Sequence, residues 1–237
     1  MKILALDTST QIGSLALLDK GQVLAQADLP RGETHSITLL PALRDMLALR
    51  NLSVHDLDLV AVGLGPGSFT GLRIGLSTAK GLAWAAGKPL VGVSTLDALA
   101  WAMPPGHNSI CPVIDGRRRQ VFAVFFQWMA DSADGGAYVA VTEPSAYTKD
   151  QLLAFVKRET VFIGDGLVRW GADLAESLGP LYIRGPERLD YPSAVAVGMV
   201  ALKLHRQGAE TRPAHISPCY IRPPDIREIK AGKVLIP

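Results

Sequence analysis

The segment whose spacing comes nearest to phosphate chemistry is Gly63-Leu64-Gly65-Pro66-Gly67-Ser68. A dinucleotide-binding turn requires G-x-G-x-x-G, and the sixth position here is Ser68. A P-loop requires G-x-x-x-x-G-K-[ST]. Gly87-Lys88 is instead followed by Pro89, and Leu82 stands where the first glycine belongs. Both nucleotide motifs fail, and the spacing describes a strand-to-helix turn. Gly164-Asp165-Gly166 opens a candidate helix, where unpaired N–H groups and the helix dipole favour an anion, although a tight turn demands the same residues. The five histidines, His35, His55, His107, His205 and His215, show neither H-x-x-x-H nor H-E-x-x-H spacing, so no metal site is expected. His35 reads as a helix-opening residue and the others as surface residues. The two cysteines, Cys111 and Cys219, sit among apolar or proline neighbours and read as reduced structural thiols.

These residues need a scaffold. At 237 residues with 48% hydrophobic and 19% charged content, the chain is expected to be soluble and to bury a real core, in one domain or two small lobes. A net charge of +2 does not by itself call for nucleic acid. Charge is uneven, however: the stretch from Lys203 to Pro237 holds seven Lys/Arg against three acids, a solvated end or a contact for an anionic partner. The opening run Ile3-Leu4-Ala5-Leu6 is too short for a signal peptide, and no run approaches a membrane span, so a cytoplasmic protein is expected.

Residues 2–7, 12–18 and 22–28 read as three strands, the second pair joined by an Asp19-Lys20-Gly21 hairpin. A helix is predicted from Ile37 to Leu49, with Pro41 in its first turn. It carries two apolar stripes, Leu40/Leu43/Leu47 and Leu39/Ala42/Met46/Leu49, where a surface helix needs one. Burial in its own domain and a partner surface account for the second stripe equally well. Val60–Val62 is the core of a further strand, broken by the glycines and Pro66. The helix after it, Ser68–Ala86, repeats Gly71, Gly75, Ala79, Ala83 and Gly87 every four residues. That many glycines cost roughly 1 kcal/mol each relative to Ala, so the small ridge implies close packing against another backbone, in this chain or in another. Pro89–Ser94 and Thr95–Met103 complete a first half, with Ser94 and Asp97 spaced as a capping box, and Met103-Pro104-Pro105-Gly106 ends it.

Beyond that boundary the order begins again. Ser109–Ile114 and Gln120–Gln127 are predicted strands across the Asp115–Arg119 turn, with Tyr138–Val141 a third after the loose Ala130–Gly136 segment. A helix capped by Thr148 and Gln151 runs through Lys157. The strand Thr160–Ile163 follows, then a helix to about Leu178, the strand Leu181–Ile183 and the helix Ser193–Gln207. Both halves read βββαβαβα: an α/β chain of two lobes, 1–105 and 106–237, facing each other across a cleft.

This duplicated order, with Asp7 ending the first strand, resembles the actin/Hsp70/sugar-kinase superfamily, whose lobes are ribonuclease H-like. More closely the chain resembles the TsaB (YeaZ) family of bacterial tRNA threonylcarbamoyladenosine biosynthesis proteins. The resemblance covers nearly the whole chain. It rests on Leu6-Asp7-Thr8-Ser9-Thr10, His35-Ser36 with Leu39-Leu40-Pro41, Gly65–Gly75, Gly92-Val93-Ser94-Thr95-Leu96 and Pro218-Cys219-Tyr220-Ile221-Arg222. It implies an accessory, non-catalytic role in modifying adenosine 37 of tRNAs that read codons starting with A. The implied partners are the catalytic paralogue TsaD and the ATPase TsaE, with a homodimer when alone and tRNA met only through the complex. The implied partner surface is the helix pair, with Leu39, Leu43, Met46, Gly71, Leu72, Gly75, Ala79 and Ala83 as its candidate residues. TsaD carries a metal-binding His-x-x-x-His where this chain has Thr95 and Leu99, which are not useful ligands.

The superfamily holds nucleotide phosphates on D-x-G turns of both lobes. Asp7-Thr8-Ser9 lacks the glycine, Asp115-Gly116 supplies a second turn, and Gly164 and Gly166 fall short of the glycine run that cradles adenosine. Asp7, Thr8, Ser9, Asp115, Gly164 and Gly166 are therefore expected to form a vestigial nucleotide cleft. ATP or ADP is its candidate ligand, and no cofactor is required. Structural roles for these residues are favoured: Asp7 caps a turn and Asp115 starts a hairpin. Gln120, where the family usually has Glu, is assigned no role. Two other readings compete: a stand-alone ATP-dependent phosphotransferase or ATPase, and an RNA-binding module using Arg117–Arg119 and the basic tail, which lacks aromatic platforms.

Overall fold

The structure, a computed structural model, describes residues 1–130 and 136–222. The tail charges Asp225, Arg227, Glu228, Lys230 and Lys233, and the middle of the Ala130–Gly136 segment, lie outside the described residues.

The first half folds as the sequence implies. Strands β1 (Lys2–Asp7), β2 (Ser14–Asp19) and β3 (Gln22–Asp28) form an antiparallel meander, its second turn made by Lys20 and Gly21, both with positive φ, as a tight hairpin demands. Helix α1 (His35–Ala48) leads to β4 (Leu59–Gly65), α2 (Phe69–Ala86), β5 (Leu90–Ser94) and α3 (Thr95–Ala102). The sheet order is β3-β2-β1-β4-β5, with β1, β4 and β5 parallel. Central β1 is buried on both faces, and its alternation assigns the layers. Leu4 and Leu6 pack with α1 and α2 on one side. Ile3 and Ala5 face the other side.

Four local expectations change. Helix α1 begins two residues early, so Pro41 is its seventh residue rather than part of the first turn. The strand β4 passes through Gly63 to Gly65, and the break comes at the cis Gly65–Pro66 bond. Gly87 is no part of the small ridge: it ends α2 in the left-handed conformation at φ 65°. At Ser94 only the forward half of the expected capping box forms, its hydroxyl accepting from the Asp97 N–H.

The second half elaborates the pattern. Strands β6 (Ser109–Asp115), β7 (Val121–Ala123), β8 (Phe126–Met129), β9 (Ala137–Ala140) and β10 (Ser145–Tyr147) precede α4 (Lys149–Phe155), so five strands stand where three were expected. Then come β11 (Thr160–Ile163), α5 (Leu167–Leu178), β12 (Tyr182–Arg184) and α6 (Ala194–Arg206). The predicted strand Gln120–Gln127 splits because the Phe125 backbone leaves β6: its N–H donates to the Thr142 hydroxyl and its carbonyl accepts from Val141. The core order β10-β7-β6-β11-β12 repeats that of the first sheet, with β8 and β9 added as a hairpin on β6.

The last helix of each half crosses over. From the first half, α3 sends Leu96 and Leu99 into the cluster built on β6 and β11. From the second half, α6 sends Ala194, Val197 and Ala201 against Ile3, Ala5 and Val91 of the first sheet. Gly198 permits the closest approach: a Cβ there would press on Leu18 and Ala5. The division at 105/106 thus follows chain order and not packing, since Pro104-Pro105-Gly106 marks a turn in the chain while apolar burial joins the halves.

Candidate functional site

The turn after β1 is closed. Asp7 and Thr8 are buried; the Asp7 Oδ1 accepts from the N–H and the hydroxyl of Ser9 at 2.8 and 2.6 Å, an Asx-type cap. Among the described residues its Oδ2 has no partner, and it rests against Gly63, where any side chain would collide with it. Burial raises the Asp7 carboxyl above its ordinary value, against the opposing Ser9 bonds. The Thr8 hydroxyl donates to the Gly71 carbonyl at 2.7 Å, and the Ser68 N–H donates to the Ser9 carbonyl at 2.7 Å. Gly67, Gly71 and Gly75 let the loop and the start of α2 lie on this turn, because a Cβ at any of them would strike Ser9 or Thr8. Ser9 lines the space beyond; Asp7 and Thr8 do not.

The equivalent turn after β6 is held differently. Arg117, Arg118 and Arg119 all adopt positive φ, 61°, 47° and 59°, a conformation costly for residues with a Cβ. Three contacts sustain it. The Asp115 carboxylate accepts from the Arg117 N–H at 2.9 Å, Gly116 N–H donates to the Gln120 carbonyl, and Arg222 donates to Gln120 Oε1 at 2.8 Å and to the Gly116 carbonyl at 3.2 Å. Gln120 therefore does have a structural role. From the turn that opens α5, Asp165 Oδ1 accepts from the Asp115 N–H at 2.9 Å. Burial pushes the Asp165 carboxyl up to about 6, with that hydrogen bond opposing. Gly164 and Gly166 pack on the Val113 carbonyl and do not face the open space.

Between the two turns lies a cleft of about 490 Å³. Of the six residues expected to line a nucleotide cleft, the structure brings Ser9 and Asp115 to its wall and places Asp7, Thr8, Gly164 and Gly166 behind it. Sequence reasoning missed the groups that dominate the wall: Arg31 from the β3–α1 connection, Arg169 from α5, Phe69 from α2, and Tyr220 and Arg222 from the strap after α6. That strap is anchored by the Cys219 N–H donating to the Leu64 carbonyl at 2.8 Å. Tyr220 packs on Phe69 with ring centroids 5.2 Å apart, and its hydroxyl accepts from Arg73 Nε at 3.1 Å. Arg73 in turn lies 4.0 Å over the Phe69 ring. The one available signal was Tyr220-Ile221-Arg222, which stands in one of the segments carrying the family resemblance.

The helix pair offers a second candidate site, but through other residues than expected. Leu39, Leu43, Met46, Leu72, Ala79 and Ala83 are all buried in this chain's own core, and Gly71 and Gly75 lie against β1 and its turn. The small ridge of α2 therefore packs on its own sheet. The outward faces carry Ile37, Leu40 and Leu49 on α1, 69%, 53% and 82% exposed, and Trp84 on α2, 85% exposed. These two helices pack together, and their exposed apolar side chains are candidates for a partner contact. Thr95 and Leu99 are buried on α3. Among the described residues, no helix is long and apolar enough to cross a membrane.

Comparison with known proteins agrees with this geometry. The family model described as "TsaD: tRNA N6-adenosine threonylcarbamoyltransferase" matches residues 30–224. The chain is 34% identical over 230 residues to the tRNA threonylcarbamoyladenosine biosynthesis protein TsaB of Escherichia coli, covering 94% of this chain and 95% of that protein. The structure of YeaZ from Pseudomonas aeruginosa superposes with a TM-score of 0.76 at 27% identity, covering 92% of this chain and 99% of the other. Component A of (R)-2-hydroxyglutaryl-CoA dehydratase from Acidaminococcus fermentans, at 12% identity and TM-score 0.50 over 86% and 98% of the two chains, shares the fold alone. The two-lobed, duplicated actin-like architecture and the overall sequence identity place this chain in the TsaB (YeaZ) family of tRNA threonylcarbamoyladenosine biosynthesis proteins.

Proposed function

We propose that this chain is a non-catalytic subunit of the cytoplasmic machinery that places the N6-threonylcarbamoyl group on adenosine 37 of tRNAs reading codons that start with A. It acts by pairing with TsaD through the outward faces of α1 and α2. The observation that carries this reading is the exposure of Ile37, Leu40, Leu49 and Trp84 on or at the end of two helices that pack together. The same surface pairs isologously when TsaD is absent, as symmetric dimers do. TsaE joins the assembly, and tRNA is engaged within it.

The chain contributes no chemistry of its own on this reading. The first-lobe turn, which in the superfamily holds phosphate, has its Ser9 N–H and Ser9 carbonyl occupied internally. That arrangement also weighs against a stand-alone phosphotransferase or ATPase, and it makes ATP or ADP dispensable to this chain. The test is reconstituted modification of tRNA by TsaD and TsaE. Adding this chain raises the rate, and adding a Leu40→Glu, Trp84→Ala variant does not. Modification at the full rate without the chain, or an equal gain from the variant, contradicts the proposal.

A further inference from the structure

Among the described residues, the cleft between the lobes presents guanidinium groups that no carboxylate neutralises. Arg31 and Arg169 are exposed on opposite lobes, and among the described residues the Arg31 guanidinium bonds only to the neutral Gln11. Among the described residues the Arg169 guanidinium has no hydrogen bond or ion pair; its backbone N–H donates to the Gly166 carbonyl. Arg222 lines the same wall and, among the described residues, donates to the Gln120 side chain and the Gly116 carbonyl, both uncharged. The two carboxylates of the wall are already engaged: Asp115 with Arg117 at 3.5 Å and with the Arg117 N–H, and Asp165 with the Asp115 N–H. Tyr220 and Phe69 add aromatic surface at the same wall, each a little over one-third exposed.

What recognises the ligand here is therefore long side chains and not backbone. A compact mononucleotide phosphate site is built from converging amides, yet Ser9 N–H, Gly116 N–H and Arg117 N–H all have partners inside their own turns. Arginines delivered by three separate segments, across two lobes, suit charges spread along a strand. Aromatic rings beside them suit bases that leave their stack. We infer that the interlobe cleft, through Arg31, Arg169 and Arg222 with Tyr220 at its side, is a contact surface for the phosphodiester backbone of RNA. The RNA follows from the proposed function and is the tRNA substrate; the cleft adds a direct contact from this chain to what the complex modifies.

The experiment measures binding of fluorescently labelled tRNA by anisotropy across a salt series, for the chain alone and mixed with TsaD, in wild type and an Arg31→Ala, Arg169→Ala variant. Both arginines are exposed and outside the core, so the variant is expected to keep its melting temperature and its pairing with TsaD on size exclusion. The inference predicts affinity lower by at least about tenfold and a salt slope, in log–log form, shallower by roughly 1.4–1.8 for two lost phosphate contacts. Unchanged affinity and slope with pairing intact overturns it. So does binding of ADP that depends on the two arginines while tRNA binding does not, which assigns the cleft to a free nucleotide. Failure to pair with TsaD sinks the proposed function separately, because the chain-alone series still decides whether the cleft holds RNA.

Discussion

Helices α2 and α5 follow equivalent strands of the two lobes, yet they treat their sheets in opposite ways. Toward its sheet, α2 shows Gly71, Gly75, Ala79 and Ala83, and its N-terminal loop and first turns press onto Thr8 and Ser9. Toward its own sheet, α5 shows Leu167, Trp170 and Leu174, three large side chains. The first turn is sealed in consequence, while Asp165 and Arg169 at the start of α5 stay in reach of the cleft. The first lobe thus seals its β1 turn beneath α2, while the second leaves the opening turn of α5 at the cleft wall. In a duplicated fold, the two copies have been packed for different contacts.

The largest effect expected from disturbing this contrast is on the α5 side. Leu174 is fully buried, and Leu174→Ala leaves a cavity costing about 2–5 kcal/mol, read by urea unfolding. Filling the α2 side comes next. Gly75→Leu places a side chain into the Thr8 hydroxyl and Leu6, and overpacking of this kind costs about 1–3 kcal/mol or more. Because the ridge faces this chain's own sheet, the loss appears in the stability of the isolated protein and not first in its pairing; unaltered stability with lost pairing would reverse that assignment.

A smaller effect concerns pH. The Asp165 carboxyl titrates near 6 when folded against an ordinary 3.8. For an acid whose folded value is raised, the folded state binds the extra proton in this window. Stability therefore falls as pH rises from about 4 to about 6, by at most roughly 3 kcal/mol. Asp165→Asn keeps the Oδ1 acceptor for the Asp115 N–H and flattens that stretch of the stability curve; an unchanged curve would deny the raised value. The smallest stability change belongs to the outward face. Leu40→Glu is expected within about 0.5 kcal/mol of the wild type, since it removes no core contact, while abolishing pairing.

Much of this was legible. β1 to α3 could be placed from apolar runs and their turns, because half-buried strands and capped helices leave periodic marks. The two stripes on α1 and the small ridge on α2 were also visible, but their direction was not. Spacing shows that Gly75 and Ala79 share a face; only the packing of β1 and the Thr8 turn shows that this face looks inward. Leu40 and Leu49, one from each stripe, are left uncovered, as is Trp84, which the sequence did not single out. The exchange of α3 and α6 between lobes left no local mark, since burial partners distant in sequence are invisible to a window of neighbours. The cleft arginines were missed for the same reason: Arg31, Arg169 and Arg222 are brought together by topology alone.

The central claim is that the outward face of α1 and α2 is a pairing surface. Size-exclusion chromatography with light scattering tests it most directly, on this chain alone and then mixed with its TsaD. The account predicts a homodimer that converts to a one-to-one heterodimer, with Leu40→Glu remaining a folded monomer under both conditions. A wild-type monomer that elutes apart from TsaD would contradict it.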